Sequence, residues 1–319
     1  MKILLKQIQS CKMTEKLQGI YYNISSEEYH GTPGTYSSSQ MKDLLEDPEI
    51  FYKKYISKEQ EKISIPAFDV GTYFHTAILE PDKLKDESAV YAGIRRGKEW
   101  EKFQEDNKGK NIITETEQKT ALGLIKAVKD SPIAMGRISR GTPEVSGFID
   151  LIVSGKDIFE PIEGKILGRY GWEETKKSPA KKGSVTIPMK VRADLLAEDF
   201  ILDLKSTTGN VKSERAMMGK VSDYNYDLSA ALYLDLFSAL NKRIISDFVW
   251  TFASKDYFNC KSYIATSENI QVGREKYRKA ILTLADNIEN EWKFTDSMGF
   301  LKANIWELAI LKESGENLL

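Results

Sequence analysis

The chain has 319 residues, 41% of them hydrophobic, and a formal net charge of −1, so it can bury one large core or two modest ones and carries no global basic footprint. Its two cysteines, Cys11 and Cys260, lie far apart without metal-type spacing, which argues against a disulfide framework, a zinc site and an iron–sulfur cluster. The sequence contains no apolar run of about 18 residues and no signal-peptide core at its start, so we expect a cytoplasmic protein without a membrane span.

The first residues look detached from the pattern that follows them. A globular pattern begins at Gly19, so we expect residues 1–17 to form an N-terminal extension and residues 18–319 a single domain. The turn residues at 31–34 predict a loop, and His30 just before them is interpreted as a surface loop residue without a role.

A serine cluster at 37–39 precedes the next periodic stretch and predicts a helix with a serine cap. The free N–H groups and hydroxyls at such a helix start can also hold a phosphate. We interpret the cluster first as a cap and keep Ser37 and Ser39 as candidate phosphate contacts.

A buried helix is predicted from Ala67 to Leu79, because this stretch is mostly apolar. Gly71 lies one turn before His75 and would permit close packing of a neighbouring backbone, at some cost in helix propensity. A lone histidine on such a face is ordinarily a core residue with satisfied hydrogen bonds. Whether His75 belongs to a site depends on what lies across from it.

A polar segment carries Arg95, Arg96 and Lys98 next to Trp100. Local positive charge beside an aromatic ring suits phosphates and a stacked base. Each of these residues taken singly is also typical of a solvated loop, so both interpretations stay open.

A strand and a long insert follow. The apolar-rich run from Glu144 to Val153 predicts a strand that offers the Glu144 carboxylate near the central sheet. Residues 155–186 are irregular and rich in lysine and glycine, and we interpret them as a long loop or flap between two strands. The lysine pairs at 176–177 and 181–182 are typical of a solvated surface but can also contact a DNA backbone.

The stretch from Lys190 to Thr207 contains two apolar runs around a short polar turn, which predicts a β-hairpin whose strands each bury one face. Residues two apart on a strand share a face, so Asp203 and Lys205 lie on one side and the turn can bring Asp194 beside them. Two carboxylates and an ammonium on an apolar hairpin form the kind of acidic cage that Mg²⁺ binds. The alternative is a solvated ion pair, because D-x-K is common on strands.

Helices and strands alternate through the rest of the chain. We predict an amphipathic helix over 226–237, an antiparallel strand pair over 244–254 and 257–266, a long charged helix over 268–292, and a helical tail through Trp306–Leu308. This order of elements predicts an α/β or α+β fold with a central mixed β-sheet flanked by helices.

Four motifs, in this order, resemble a known family. They are G-T-Y-F-H-T-A-I-L-E-P at 71–81, V-R-A-D at 191–194, I-L-D-L-K-S-T at 201–207, and a helix with Tyr226, Ser229 and Tyr233. Together they resemble the PD-(D/E)XK nuclease superfamily and, within it, the exonuclease VIII (RecE-type) branch of phages and prophages. The serine cluster and the Arg95 segment are similar to that branch as well. The similarity extends from about Ile20 to the region of Trp250.

The resemblance implies a restriction-endonuclease-like core and a set of site residues. Asp194 and Asp203 would bind Mg²⁺ or Mn²⁺, with the Leu204 carbonyl and His75 as further ligands. Lys205 would orient the attacking water and help to deprotonate it. The expected catalytic residues are therefore His75, Asp194, Asp203 and Lys205. The candidate DNA contacts are Ser37, Ser39, Arg95, Arg96, Lys98, Glu144, Arg192, Tyr226 and Tyr233.

The implied activity is metal-dependent exonuclease cleavage of linear duplex DNA, from 5′ to 3′, leaving 3′ single-stranded tails for a single-strand annealing partner. The branch forms toroidal homo-oligomers that thread DNA, so we expect this chain to associate. Two features depart from the family: Ser229 replaces the usual Gln, and the insert at 155–186 is longer than expected. The alternatives are an endonuclease with the same site, or a catalytically silent DNA-binding or assembly protein on the same fold.

Overall fold

The computed structural model describes residues 17–59, 66–160, 165–180 and 182–294. The helical tail, nearly all of the N-terminal extension and Lys181 of the insert lie outside the described residues. In these ranges no helix is both long and apolar enough to cross a bilayer.

The strands in the described ranges form one large mixed sheet and a separate small one. They are β1 (Gly19–Tyr21), β2 (Ser88–Tyr91), β3 (Asn111–Thr114), β4 (Thr142–Ser154), β5 (Asp157–Phe159), β6 (Lys165–Gly168), β7 (Gly171–Glu174), β8 (Ser184–Leu196), β9 (Phe200–Thr207), β10 (Asp247–Ser254) and β11 (Cys260–Ile264). The large sheet has the order β11-β10-β9-β8-β4-β5-β6-β7, with β1 paired to β4, while β2 and β3 pair in parallel. Within the large sheet β9 and β10 run parallel and the other pairs are antiparallel.

Helices cover both faces of the large sheet, which confirms the predicted α/β class. They are α1 (Ser26–Gly31), α2 (Ser38–Glu46), α3 (Pro48–Phe51), α4 (Pro66–Leu79), α5 (Leu84–Glu87), α6 (Gly97–Asp106), α7 (Glu115–Lys129), α8 (Pro132–Ile138), α9 (Glu214–Asp223), α10 (Tyr226–Asn241) and α11 (Ser267–Glu289). On β10, Phe248, Trp250 and Phe252 pack towards α2, α10 and α11. Val249 and Ala253 pack on the opposite side, with α4, α7 and α8, as the two-residue period of a strand requires.

The predicted hairpin and the strand pair after it are both present. β8 and β9 are joined by a short turn in which the Ala197 N–H donates to the Phe200 carbonyl at 2.9 Å, and β10 and β11 are antiparallel. The insert is not the irregular loop that its composition predicted. It contains β5, β6 and β7, which extend one edge of the sheet. Strands of three or four residues are too short to show a reliable two-residue period, so the pattern missed them.

Two ion pairs fasten α11 onto α10. Buried Asp235 accepts two hydrogen bonds from Arg274 (2.8 Å each) and one from the Tyr277 hydroxyl (2.6 Å). Lys276 donates to buried Asp227 at 2.7 and 2.9 Å. The helices approach so closely that a Cβ on Gly273 would lie 2.1 Å from the Asp227 carbonyl oxygen. Only glycine therefore fits at this crossing.

We predict that Asp235→Asn lowers the free energy of unfolding by about 3–5 kcal/mol, because it leaves the Arg274 charge buried without its partner. The matched control is Asp199→Asn, since Asp199 also binds an arginine through both oxygens but both side chains are about half exposed. That change should cost far less, because an ion pair open to solvent contributes little to stability. Urea denaturation measures both, and equal losses in the two variants would contradict the prediction.

Candidate active site

The candidate site forms where β8 and β9 separate. The hairpin register pairs Leu196 with Ile201 and Leu195 with Leu202, so Asp194 and Asp203 are the next residues facing each other across it. Instead of continuing the ladder, the Leu204 N–H donates to Asp194 Oδ2 at 2.7 Å. The Asp194 carboxylate thus satisfies a strand N–H that the separation would leave unpaired.

Three side chains with metal-ligand chemistry meet at this point. Ligand atoms of His75 on α4, Glu144 on β4 and Asp194 on β8 all lie within 4.8 Å of one another. The His75 Nδ1 is 3.6 Å from Asp194 Oδ2. Glu144 has a left-handed backbone (φ 53°) and faces Asp194 at the one unpaired position between Pro143↔Leu195 and Val145↔Ala193.

The electrostatics of this cluster favour a bound cation. Burial, and after it the Asp194 charge, raises the pKa of Glu144 to about 7, against the opposing effect of Arg192. The Arg192 Nε donates to Glu144 Oε2 at 2.6 Å and holds the carboxylate in place. Two close carboxylates and one imidazole, partly removed from water, suit a divalent ion such as Mg²⁺ or Mn²⁺. The residues present therefore fit the metal that the motifs imply.

Asp203 and Lys205 form a pair beside this cluster. The Lys205 Nζ donates to Asp203 Oδ1 at 2.6 Å, and Asp203 is only 8% exposed. Burial raises the pKa of Asp203, and Lys205 opposes that shift. Burial lowers the pKa of Lys205, but the carboxylates of Asp203 and Asp194 outweigh it, so the pKa is held above its ordinary value.

The expected metal ligands are thus only partly brought together. His75 and Asp194 lie in the cluster, whereas among the described residues Asp203 is outside it. Leu204 contributes its N–H to Asp194. Glu144, considered in the sequence as a DNA contact near the sheet, lies with the ligands. Its position depends on the β4–β8 register, which local sequence patterns do not show.

Lys42 is a site residue that the sequence analysis missed. Its Nζ lies 5.2 Å from the centroid of the Tyr226 ring, and the Lys205 Nζ lies 5.5 Å from the same centroid. Burial, followed by the Lys205 charge, lowers the pKa of Lys42 to about 8. Lys42 is four residues after Ser38, whose Oγ is 3.3 Å from the Tyr233 hydroxyl. Because residues four apart share a helix face, Ser38 and Lys42 lie on the same side of α2, and this spacing in the sequence could have indicated that Lys42 is near the site.

A cleft of about 830 Å³ opens over the cluster. Its walls include His75, Glu144, Arg192 and Tyr226 of the predicted set, together with His30, to which the sequence analysis gave no role. Further wall residues that the sequence analysis missed are Lys83, Thr207, Thr208, Lys220, Tyr224 and Lys255.

The predicted DNA contacts in the serine cluster and in the Arg95 segment do not line this cleft. Arg95 donates to the Ile112 carbonyl (2.9 Å) and to Glu117 (2.8 Å), and it is 3.4 Å from Asp69, so it ties α4, β3 and α7 together. Arg96 and Lys98 are exposed at the start of α6. Ser37 caps α2 as predicted, and Ser39 is exposed.

Comparison with known proteins bears on the fold. No family model matches the chain, and no curated protein matches it. Among solved structures it is similar to a "Putative exonuclease" from Eubacterium rectale, with 14% identity and a TM-score of 0.55 over 90% of this chain and 98% of that one. At this identity the likeness shows the fold alone.

Two further solved structures align more loosely. They are SSO0001, at 12% identity over 75% of this chain and 83% of that one, and Rai1 from Scheffersomyces stipitis, at 11% identity over 85% and 75%. Both have a TM-score of 0.24, at which an alignment does not indicate a shared fold.

We predict that Glu144→Gln weakens Mn²⁺ binding by at least about tenfold, because it removes one carboxylate charge from the cluster. Glu117→Gln is the matched control, since Glu117 and Glu144 are 22% and 24% exposed and each binds an arginine. Calorimetric titration with MnCl₂ measures the affinity. Unchanged affinity in Glu144→Gln would remove Glu144 from the ligand set.

We also predict that Lys42→Met raises the free energy of unfolding at pH 7 by roughly 1–3 kcal/mol, measured without divalent metal. The folded-state pKa of Lys42 is about 8 and the ordinary value is 10.5, so the folded state binds this proton less tightly than the unfolded state. The penalty is fully present below pH 8 and disappears between pH 8 and 10.5. The advantage of the variant should therefore shrink over that window, and a constant difference would contradict the prediction.

Proposed function

We propose that the protein is a metal-dependent DNA exonuclease of the PD-(D/E)XK superfamily, in its exonuclease VIII (RecE-type) branch. The observation that carries the proposal is the meeting of His75, Glu144 and Asp194 beside the Asp203–Lys205 pair, with His75 and Glu144 on the wall of one cleft. The similar fold of the Eubacterium rectale protein, whose printed name is "Putative exonuclease", supports the same function.

The cluster of His75, Glu144 and Asp194 would hold Mg²⁺ or Mn²⁺, with Asp203 and the Leu204 carbonyl as further candidates. When bound, the ion supplies a Lewis acid for the phosphate and lowers the pKa of water. Lys205 keeps its proton, because Asp203 and Asp194 stabilise the ammonium. Its role is accordingly to orient the attacking water and to stabilise negative charge, and a carboxylate is the better proton acceptor.

The cleft walls carry cations suited to a nucleic-acid backbone. Arg192, Lys220 and Lys255 line it, and Lys83 lines it while paired with Glu80 at 2.5 Å. Arg192 holds Glu144 through Nε and donates from Nη2 to the Ile24 carbonyl at 3.2 Å, so Lys220 and Lys255 are the better candidates for contacts with a phosphate.

The finer parts of the proposal follow the motif resemblance. They are linear duplex DNA ends as substrate, cleavage from 5′ to 3′, 3′ single-stranded tails passed to an annealing protein, and a ring-shaped homo-oligomer in the cytoplasm of a bacterial host. Among the proposed DNA contacts, Glu144, Arg192 and Tyr226 line the cleft, and Tyr233 lies about two helix turns along α10 from Tyr226.

The test is digestion of linear duplex DNA labelled separately at its 5′ and 3′ ends, with Mg²⁺ and with EDTA. We expect metal-dependent release of the 5′ label, and Asp203→Asn and Lys205→Met should each lower the rate by at least about a hundredfold. Asp199→Asn, in the turn of the same hairpin, is the matched control and should keep the wild-type rate. Circular dichroism melting of each variant shows whether it is folded.

The other outcomes distinguish the alternatives. Release of the 3′ label first would reverse the polarity, and cutting of a covalently closed circle would indicate an endonuclease with the same site. DNA binding without cleavage under any metal would indicate a catalytically silent binding or assembly protein. Full activity of either folded variant would mean that the site is elsewhere.

A further inference from the structure

One exposed aromatic side chain stands on the wall of the cleft. Tyr224 is 53% exposed and lines the cleft beside Tyr226. The two rings are stacked, with centroids 5.5 Å apart and planes 22° from parallel. Single exposed aromatic side chains are common on protein surfaces, so it is the position of this ring in the cleft and the cations beside it that indicate a ligand.

The backbone between the two helices holds this ring in position. α9 ends at Asp223 and α10 begins at Tyr226, and Asn225 between them adopts the left-handed conformation (φ 48°, ψ 45°). Asparagine tolerates this conformation better than most residues. The sharp change of direction brings two tyrosines that are two positions apart into a stack, and Tyr226 is in turn packed against Phe252 at 6.3 Å. The stacked pair of Tyr224 and Tyr226, called the platform below, is therefore supported from beneath by Phe252.

Cations surround the platform on the cleft side. The Lys220 Nζ lies 5.7 Å from the Tyr224 ring centroid and 3.5 Å from Thr208 Oγ1. Lys255 lines the same wall, and its N–H donates to the Thr207 carbonyl at 2.8 Å. Burial lowers the pKa of Lys255, so its ammonium is partly removed from water where it stands. Lys220 and Lys255 thus contact neighbouring residues, Thr208 and Thr207, and both line the cleft, where an ammonium group attracts a phosphate.

The Tyr224 ring is stacked on Tyr226 and has the Lys220 Nζ over it, and its exposed part together with these ammonium groups matches the chemistry of one nucleotide. Every base has a flat π face that stacks on tyrosine, and the adjoining phosphate pairs with lysine. Inside a duplex both faces of a base are covered by its neighbours, so only a terminal or unpaired base can offer a free face.

We propose that Tyr224 and Lys220 form a subsite for an unpaired nucleotide, with the base stacked on Tyr224 and a phosphate bound by Lys220 and Lys255. The inference rests on the proposed function in taking nucleic acid as the ligand of the cleft. It adds that the cleft holds a frayed or single-stranded end by stacking, independently of base identity.

The test measures binding of single-stranded 12-nucleotide DNA in EDTA, by fluorescence anisotropy, so that no cleavage is needed. Each oligonucleotide of the set carries one abasic position, and together they cover every position. With the wild type, one position or one adjacent pair should weaken binding by about tenfold when abasic. In Tyr224→Ala the intact oligonucleotide should bind about tenfold more weakly, and that abasic position should then make no further difference.

Two controls separate stacking from a general loss of structure. Tyr224→Phe keeps the ring and should keep the wild-type pattern. Tyr170→Ala removes a matched tyrosine, 69% exposed with Arg169 5.8 Å from its ring centroid, and should bind as the wild type does. A 2-aminopurine at the sensitive position should be quenched by the wild type and not by Tyr224→Ala.

The inference is overturned if Tyr224→Ala binds as the wild type does, if it weakens every abasic oligonucleotide equally, or if the wild type binds no DNA. A protein that shows the stacking pattern but cleaves no DNA would overturn the proposed nuclease function and leave the subsite standing. DNA cleavage without any position at which an abasic site weakens binding would overturn the subsite and leave the proposed nuclease function standing.

Discussion

The separation of β8 from β9 is the constraint on which the site depends. A strand that leaves its neighbour exposes backbone N–H groups, and here the Asp194 carboxylate accepts the one from Leu204. That single hydrogen bond fixes the Asp194 side chain between the strands. It also lets Asp203 and Lys205 turn towards α2 and α10 while His75 approaches from α4 on the other side. Every other group of the site is placed relative to this opening.

The site brings charged side chains together in a partly buried region, where removal from water destabilises their charged forms. Glu144 and Arg192 pair on the cleft wall, Asp203 and Lys205 pair behind it, and Lys42 adds another cation against Tyr226. Removing such groups from water is unfavourable unless they are paired or bind an ion. The apolar cores on both faces of the sheet and the close contact of α10 with α11 supply the stability that holds these charges together. The region is thus organised for binding at the expense of local stability.

Local patterns in the sequence predict much of the fold and part of the candidate site. The hairpin, the helix with His75, the serine cap at Ser37 and the antiparallel pair near the end follow from two-residue and 3.6-residue periods, which depend only on neighbouring residues. The same hairpin predicted Asp194 beside Asp203 and Lys205, whereas among the described residues Asp203 lies outside the cluster of His75, Glu144 and Asp194. Glu144 and Lys42 could not be assigned in this way, because a cross-strand register and a helix–helix contact bring them in from distant parts of the chain. The strands of the insert were missed because each is too short to show a period.

The two ends of the large sheet limit how copies of the chain could associate. Within the described residues the strand order ends at β7 and β11, of four and five residues, and β1, of three residues, lies off this order beside β4. β7 carries Glu173 and Glu174, and β11 carries Lys261, whose Nζ lies 4.6 Å from the Tyr263 ring centroid. Short outer strands with charged side chains discourage the addition of a strand from another molecule. Self-association of this fold would therefore rely on contacts between side-chain surfaces and would leave the backbone ladders of separate copies unjoined.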